Sequence, residues 1–277
     1  MVSMRRKKTL ARRLAELAFN PHRFNDSAVY QLYLKARYPK RYEEARKEQA
    51  FYKALIRQAG SGLVFDVGAN GGGKAVIFAE AADRVLCVEP DPAAVRILRA
   101  RFAKSKKVDV VDKGVGSAIG SFPFHVFGDA DGGNTFSKKW SASPGVLGES
   151  NRPDKEPERV IDVAVVTLDS LIEQFGKPSY IKIDVEGFEL EVLKGLTQPV
   201  NLISIECALP KFTNETLQCL KRYEELQPGA TFNYCISEPP SAFVSERWLS
   251  EAEMAHEVVN GAHTYMEIYM RKPVENG

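Results

Sequence analysis

The chain is poor in the residues that carry metal and redox chemistry. It has four cysteines and four histidines among 277 residues. Cys87, Cys207, Cys219 and Cys235 form no CxxC pair and join no histidine cluster, which argues against a zinc site. Cys87 and Cys207 sit inside apolar runs, where a free cysteine behaves as a small buried hydrophobe. The expectation is a reduced, cytoplasmic protein. No apolar run approaches the ~18 residues that cross a bilayer. The basic stretch 1–13 is not followed by the apolar core of a secretory signal. It is arginine-rich and acid-poor, as organelle transit peptides are, but a solvated helix is the simpler expectation.

What is present is ordinary globular material: 44% hydrophobic, 27% charged, 20 Gly and 15 Pro. That suffices for one large α/β domain with an appendage, or for two domains. The net charge of +2 conceals an asymmetry. Residues 1–60 hold 15 Lys and Arg against 5 Asp and Glu, so the first segment carries +10 and the remainder −8. A basic arm suits nucleic acid or an anionic surface. The simpler reading, favoured here, is a helical appendage docked on an acidic body. Its aromatics (Tyr30, Tyr33, Tyr38, Tyr42, Phe51, Tyr52) recur near helical spacing and fit a packing surface.

Leu10, Leu14 and Leu17 predict a short amphipathic helix ending near Asn20-Pro21. Further helices are expected over 27–37 and 42–58, the latter stopping at Gly60-Ser61-Gly62. The boundary is placed there: 1–59 a basic helical extension, 60–277 the main domain. Strands are then expected at 63–67, 85–88 and 108–111, alternating with helices at 74–82 and 92–103. Such alternation implies βαβ units and a parallel sheet. Residues 121–127 and 160–167 read as strands flanking a loop at 128–159, in which 12 of 32 residues are Gly, Ser or Pro. A loop that long is commonly functional or disordered. Alternation resumes with strands at 180–184 and 202–207, helices at 188–196 and 214–226, and closing strands at 231–236 and 264–270.

The chemistry concentrates at strand ends. Phe65-Asp66-Val67-Gly68-Ala69-Asn70-Gly71-Gly72-Gly73 places glycines at the exit of the first strand, where backbone can approach a ligand and the next helix offers its N–H groups. Glu89 ends the second strand, 21 residues after Gly68, where a carboxylate can accept both ribose hydroxyls of an adenosine. The spacing is not the G-x-G-x-x-G of a dinucleotide fold. Asp66 would repel a pyrophosphate, but it suits the cationic methionine end of S-adenosylmethionine (SAM).

With these residues in place the sequence resembles the FkbM family of SAM-dependent class I methyltransferases over roughly residues 64–206. The resemblance rests on Phe65-Asp66-Val67-Gly68-Ala69-Asn70-Gly71, Val88-Glu89-Pro90 and Thr167-Leu168-Asp169-Ser170-Leu171. Its most specific block is Ile181-Lys182-Ile183-Asp184-Val185-Glu186-Gly187-Phe188-Glu189, continuing to Val192-Leu193-Lys194-Gly195, with Ser204-Ile205-Glu206 after it. Gly72-Gly73-Lys74 departs from the bulkier residues common in the family, and the basic arm lies outside the resemblance.

The family implies an α/β, Rossmann-like fold with a seven-stranded, mostly parallel sheet whose last strand is antiparallel. It also implies methyl transfer from SAM to a hydroxyl. Carried over, Gly68, Asn70 and Gly71 line the methionine side, Asp66 orients its amino group, and Glu89 binds the ribose. Asp112 or Lys113 lies where adenine is contacted, although either also fits a solvated strand end. Lys182 in an apolar strand needs a partner, and Asp184 or Glu186 can supply it. As functional groups, these two carboxylates meet Asp66 and Glu89 at one sheet edge. Asp184 is the first candidate for the base and Glu186 the second, with His125 and His263 as alternatives. The carboxylate pair could also hold a hard cation, but no metal is assigned. Asn134, Thr135, Ser137 and Trp140 offer polar groups and an aromatic face for a sugar or polyol, which makes the 128–159 loop the expected acceptor lid. Two other readings are an NAD-dependent oxidoreductase and a nucleic-acid-binding protein that keeps a methyltransferase-like scaffold.

Overall fold

The computed structural model describes residues 28–142 and 156–272. The expected Leu10–Leu17 repeat and the middle of the long loop lie outside the described residues. Ten strands are described: β1 (Leu63–Val67), β2 (Arg84–Val88), β3 (Val108–Val111), β4 (Gly114–Val115), β5 (Gly120–Val126), β6 (Arg159–Val166), β7 (Tyr180–Ile183), β8 (Leu202–Ala208), β9 (Thr231–Cys235) and β10 (Tyr265–Arg271). Seven of them form one sheet in the order β3-β2-β1-β7-β8-β10-β9. β10 is antiparallel to both its neighbours, and the other pairings are parallel. This is the expected α/β class, with the sheet reversing its direction of growth between β1 and β7. Open α/β sheets bind ligands outside the strand ends at such a reversal.

The central strands are apolar on both faces, as strands covered by helices on both sides must be. Phe65, Val67, Ile181, Ile183, Ile203 and Ile205 enter one core layer, and Val64, Cys87, Tyr180 and Leu202 the other. The second layer is covered by the helices Pro39–Ala59 and Gly73–Ala81. Tyr52, Leu55 and Ile56 of the first are buried against Phe78 and Tyr269. That helix ends at Gly60, whose φ of +113° lets its N–H reach the carbonyls of Arg57 and Ile56. Its outer residues pair with the glycine-turn helix through Lys74–Glu48 and Lys53–Glu80.

Two helices, Leu168–Phe175 and Glu251–Asn260, go beyond the sequence expectation. Each opens on a reciprocal cap, Thr167 with Ser170 and Ser250 with Glu253. The remaining strands form a small sheet, β4-β6-β5. Its inner residues Phe124, Val126, Val163 and Val165 pack with Phe136 and Phe188. That packing ties the long loop to the turn after β7.

Candidate functional site

The glycine turn lies flush against the end of β7. Gly68 has φ +83°, and a Cβ there would sit 1.7 Å from the backbone oxygen of Asp184. Its N–H donates to Val88 O at 2.9 Å, which draws in the end of β2 as well. Gly72 also has a positive φ, +79°, and a Cβ there would meet the side-chain ends of Leu98 and Phe102 at 2.8 Å. Arg101 donates to the carbonyl of Gly71 from behind. Asn70, at φ +45°, directs its N–H to Glu89 Oε2 at 2.7 Å, while Asp91 N–H reaches Glu89 Oε1 at 2.8 Å. Each Glu89 oxygen thus holds one backbone donor and keeps a second lone pair. Burial pushes the Glu89 carboxyl up to about 7, against the pull of those two N–H groups. Asp66 is 1% exposed, and its Oδ2 has no hydrogen-bond partner among the described residues. Burial raises it to about 6, although Lys182 opposes the shift.

The ends of β7 and β8 carry a second group of charges. Asp66, Lys182 and Ser204 stand side by side in register across β1, β7 and β8. Lys182 is 4% exposed and donates to Asp184 Oδ2 at 2.6 Å. Burial alone would strip its proton, but Asp184, Glu206, Glu267 and Asp66 surround it and hold its pKa well above the ordinary lysine value. Burial also works against the Asp184 charge, yet Lys182 and hydrogen bonds from Lys182 and Glu206 keep that carboxyl at about 2. Glu206 and Glu186 behave oppositely: burial, then the Asp184 charge, pushes both well above the usual carboxylate range. Oxygens of Asp184, Glu186 and Glu206 lie within 4.8 Å of one another. Such a group can share protons or hold a cationic ligand. Glu186 has φ +57°, and its buried Oε2 has no partner among the described residues. Replacing Lys182 with Met leaves the partly buried Asp184 without its counter-charge. The expected loss of stability is about 3 kcal/mol or more near neutral pH. Because the wild-type Asp184 pKa is depressed, the loss should be full above pH 4 and fade as the pH drops toward 2, which acid-series thermal melts would show.

Asp91 connects this edge to the long loop. One oxygen caps the helix Pro92–Phe102 by accepting Ala93 N–H at 2.8 Å. The other accepts Ala130 N–H at 2.7 Å and the Asn134 amide at 3.0 Å. Asn134 also donates to Gly128 O and accepts Phe127 N–H, so both ends of its amide are used. Thr135 is fully buried, donates to the carbonyl of Glu186 at 2.8 Å and accepts Ser137 N–H. These contacts occupy the polar groups of Asn134 and Thr135 within the protein. They fasten the loop at β2 on one side and at the β7 turn on the other. Ser137 caps the short helix Lys138–Ser141. Trp140 on that helix stacks 5.6 Å from Phe212, and Trp140, Gly187, Glu206 and Phe212 line one cleft.

Asp112 and Lys113 follow β3 and are exposed, Asp112 pairing with Arg99 at 2.9 Å. His125 lies in the small sheet and His263 beside the Tyr234 ring. No hydrogen bond joins either histidine to the carboxylates among the described residues. Sequence reasoning missed Asp91, whose only readable signal was its place before Pro92 as a helix cap. It also left Glu206 without a role, because only the β7–β8 pairing brings that residue to Asp184.

Residues 66–226 match the methyltransferase FkbM domain. The hexuronic acid methyltransferase AglP of Haloferax volcanii is 27% identical over 199 residues, covering 70% of this chain and 73% of that protein. An O-methyltransferase from Bacillus cereus in complex with SAH is 14% identical, with a TM-score of 0.41 over 81% of this chain and 80% of its own. Precorrin-6y C5,15-methyltransferase from Geobacter metallireducens is 12% identical, with a TM-score of 0.37 over 81% and 87%. Among the described residues no helix is long and apolar enough to cross a membrane. The oxidoreductase reading falls away, because with its glycine turn, its β7 block and the strand end between them all inside the matched region, the chain belongs to the FkbM family and is a methyltransferase.

Proposed function

We propose that the chain transfers a methyl group from SAM to a hydroxyl oxygen of a sugar, glycan or related small molecule. The observation that carries this reading is the pair of buried carboxylates at the glycine turn, one of which keeps a free oxygen. SAM supplies an electrophilic methyl group on a positively charged sulfur. Asp66 Oδ2 fits its ammonium, and the remaining lone pairs of Glu89 fit the ribose hydroxyls. Gly68, Asn70 and Gly71 border the methionine part, and Asp112 or Lys113 stands at the adenine end. Much of the rate comes from holding acceptor oxygen, carbon and sulfur in line.

A hydroxyl acceptor must lose its proton. Asp184 is occupied by Lys182 and is too weak a base at a pKa of about 2. Glu186, whose buried Oε2 has no partner among the described residues, takes that proton in its ionised form. Asp184 and Lys182 then position the turn that carries it. Trp140, half-buried and lining the cleft with Glu206, supplies the aromatic surface for the sugar ring. The name of the Haloferax relative favours a sugar acid as acceptor. The test is methyl-labelled SAM with a panel of hexose and hexuronic acid glycosides, the product located by mass spectrometry. A methyl ether is expected; a methyl ester or an N-methyl product contradicts the hydroxyl assignment.

The cofactor also fixes a pH dependence. A cationic ligand favours ionised Asp66 and Glu89, so its affinity falls as those groups take up protons. Binding of S-adenosylhomocysteine (SAH), which keeps the ammonium and the ribose, is expected to be flat above about pH 7.5. Affinity should then drop about ten-fold per pH unit below 7 as Glu89 protonates, and more steeply below 6 where Asp66 joins it. Calorimetric titrations from pH 5.5 to 8.5 check this, and a flat profile would remove both carboxylates from the binding step.

A further inference from the structure

The helix Ala28–Arg37 and the start of Pro39–Ala59 form a surface that the methyltransferase reading does not use. They lie outside the matched region 66–226. None of the described side chains of the first helix is buried. Leu32 is 69% exposed, Tyr33 50% and Tyr38 41%, the first two values among the higher ones for large apolar residues in the molecule. From Ala28 to Tyr42 the chain carries Lys35, Arg37, Lys40 and Arg41 and no acidic residue. The tyrosines pack on one another, with ring centroids 6.0 Å apart for Tyr30–Tyr33 and 5.9 Å for Tyr33–Tyr38. Arg37 lies over the Tyr38 ring and Lys35 over Tyr42. Upstream, residues 1–27 add seven Lys and Arg against two acidic residues.

We propose that this basic, tyrosine-rich face seats the enzyme on an anionic lipid membrane, with Leu32, Tyr33 and Tyr38 entering the headgroup layer. Tyrosine and leucine beside lysine and arginine are the side chains of an interfacial helix: the rings and the isobutyl group leave water, and the cations meet lipid phosphates. Nucleic acid fits less well. The tyrosine rings meet one another tilted or edge-on rather than as a stacking platform, and the most exposed apolar side chain of this face, Leu32, has no π-face to stack. The charge runs unopposed along the whole segment, as a planar anionic surface favours.

The experiment is flotation of the full chain with vesicles of phosphatidylcholine alone or with one-third phosphatidylglycerol, at low and high salt. Binding to the anionic vesicles only, weakening with salt, is expected. Lys35→Glu with Arg37→Glu should weaken it by ten-fold or more, since each cation near such a surface is worth about five-fold. Leu32→Ser with Tyr33→Ser and Tyr38→Ser should weaken it comparably without changing the melting temperature, because these side chains are exposed. Equal binding to neutral vesicles, or none to either, overturns the proposal. So does anionic binding that both variants retain, which would locate the contact elsewhere in the chain. Tighter binding to a duplex or single-stranded oligonucleotide, lost in the charge variant but kept in the Leu32 and tyrosine variant, assigns the face to nucleic acid instead.

Discussion

Gly68→Ala should cost the protein about 3 kcal/mol or more, a loss of roughly 6–12 °C in melting temperature for a domain of this size. Two independent penalties act at this position. The backbone there has φ +83°, which an alanine adopts only with strain. The new methyl group would also lie 1.7 Å from the Asp184 carbonyl oxygen, a backbone atom that cannot swing aside. Relief requires the end of β1 to part from the end of β7, which separates Asp66 from Asp184. The neighbouring Gly73→Ala serves as control. Nothing lies within 4 Å of a Cβ at Gly73, its φ is not positive, and it opens a helix. That variant should melt within about a degree of wild type or slightly higher. Equal losses in the two variants would mean that the close approach of β1 and β7 is not what the turn depends on.

Glu186→Gln should lower kcat by about 10² to 10⁴, the range a positioned general base supplies, while SAH affinity stays near the wild-type value. The amide keeps the size and the backbone of the residue but cannot take the acceptor proton. Its effect separates two kinds of acceptor oxygen. A hydroxyl must be deprotonated, so its methylation depends on Glu186. An ionised carboxylate needs no base, and its methylation would survive the substitution. Asp184→Asn should behave differently, because it removes the partner of Lys182 and disturbs folding as well as rate. A Glu186→Gln enzyme with unchanged kcat on a hydroxyl acceptor would remove Glu186 from the proton transfer.

Much of the sheet can be read directly from the residues. Leu63–Val67, Arg84–Val88 and Tyr180–Ile183 are short apolar runs between turn signals, and the helices between them impose parallel pairing. The antiparallel last strand came from the family resemblance and not from any local pattern in residues 265–271. The helix Leu168–Phe175 escaped, although Leu168, Leu171 and Ile172 have helical spacing behind a capping threonine. Its residues are too few for periodicity to stand out beside the preceding strand.

The candidate site was legible in its charges and less so in its connections. Asp66, Glu89, Asp184 and Glu186 announce themselves as acids at the ends of apolar strands. Asn134 and Thr135, in a stretch rich in glycine, look like surface polar residues. They are buried because Asn134 satisfies three groups at once, on Asp91, Phe127 and Gly128, and Thr135 reaches the Glu186 carbonyl. Those partners lie up to 51 residues away, and only the folded small sheet brings them together. Glu206 illustrates the same limit. Its carboxyl hydrogen-bonds to Asp184 across neighbouring strands, and burial, followed by the Asp184 charge, raises its pKa without any sign in the sequence around it.

The central claim is that the edge formed by the glycine turn and Glu89 binds SAM. Calorimetric titration with SAH, with NADH as control, tests it most directly for wild type and Glu89→Ala. One saturable site for SAH and none for NADH is expected. Affinity should fall by about 100-fold in the variant, from the loss of two charge-assisted hydrogen bonds. A folded wild-type protein that ignores SAH, or a Glu89→Ala protein that binds it as tightly as wild type, would contradict the account.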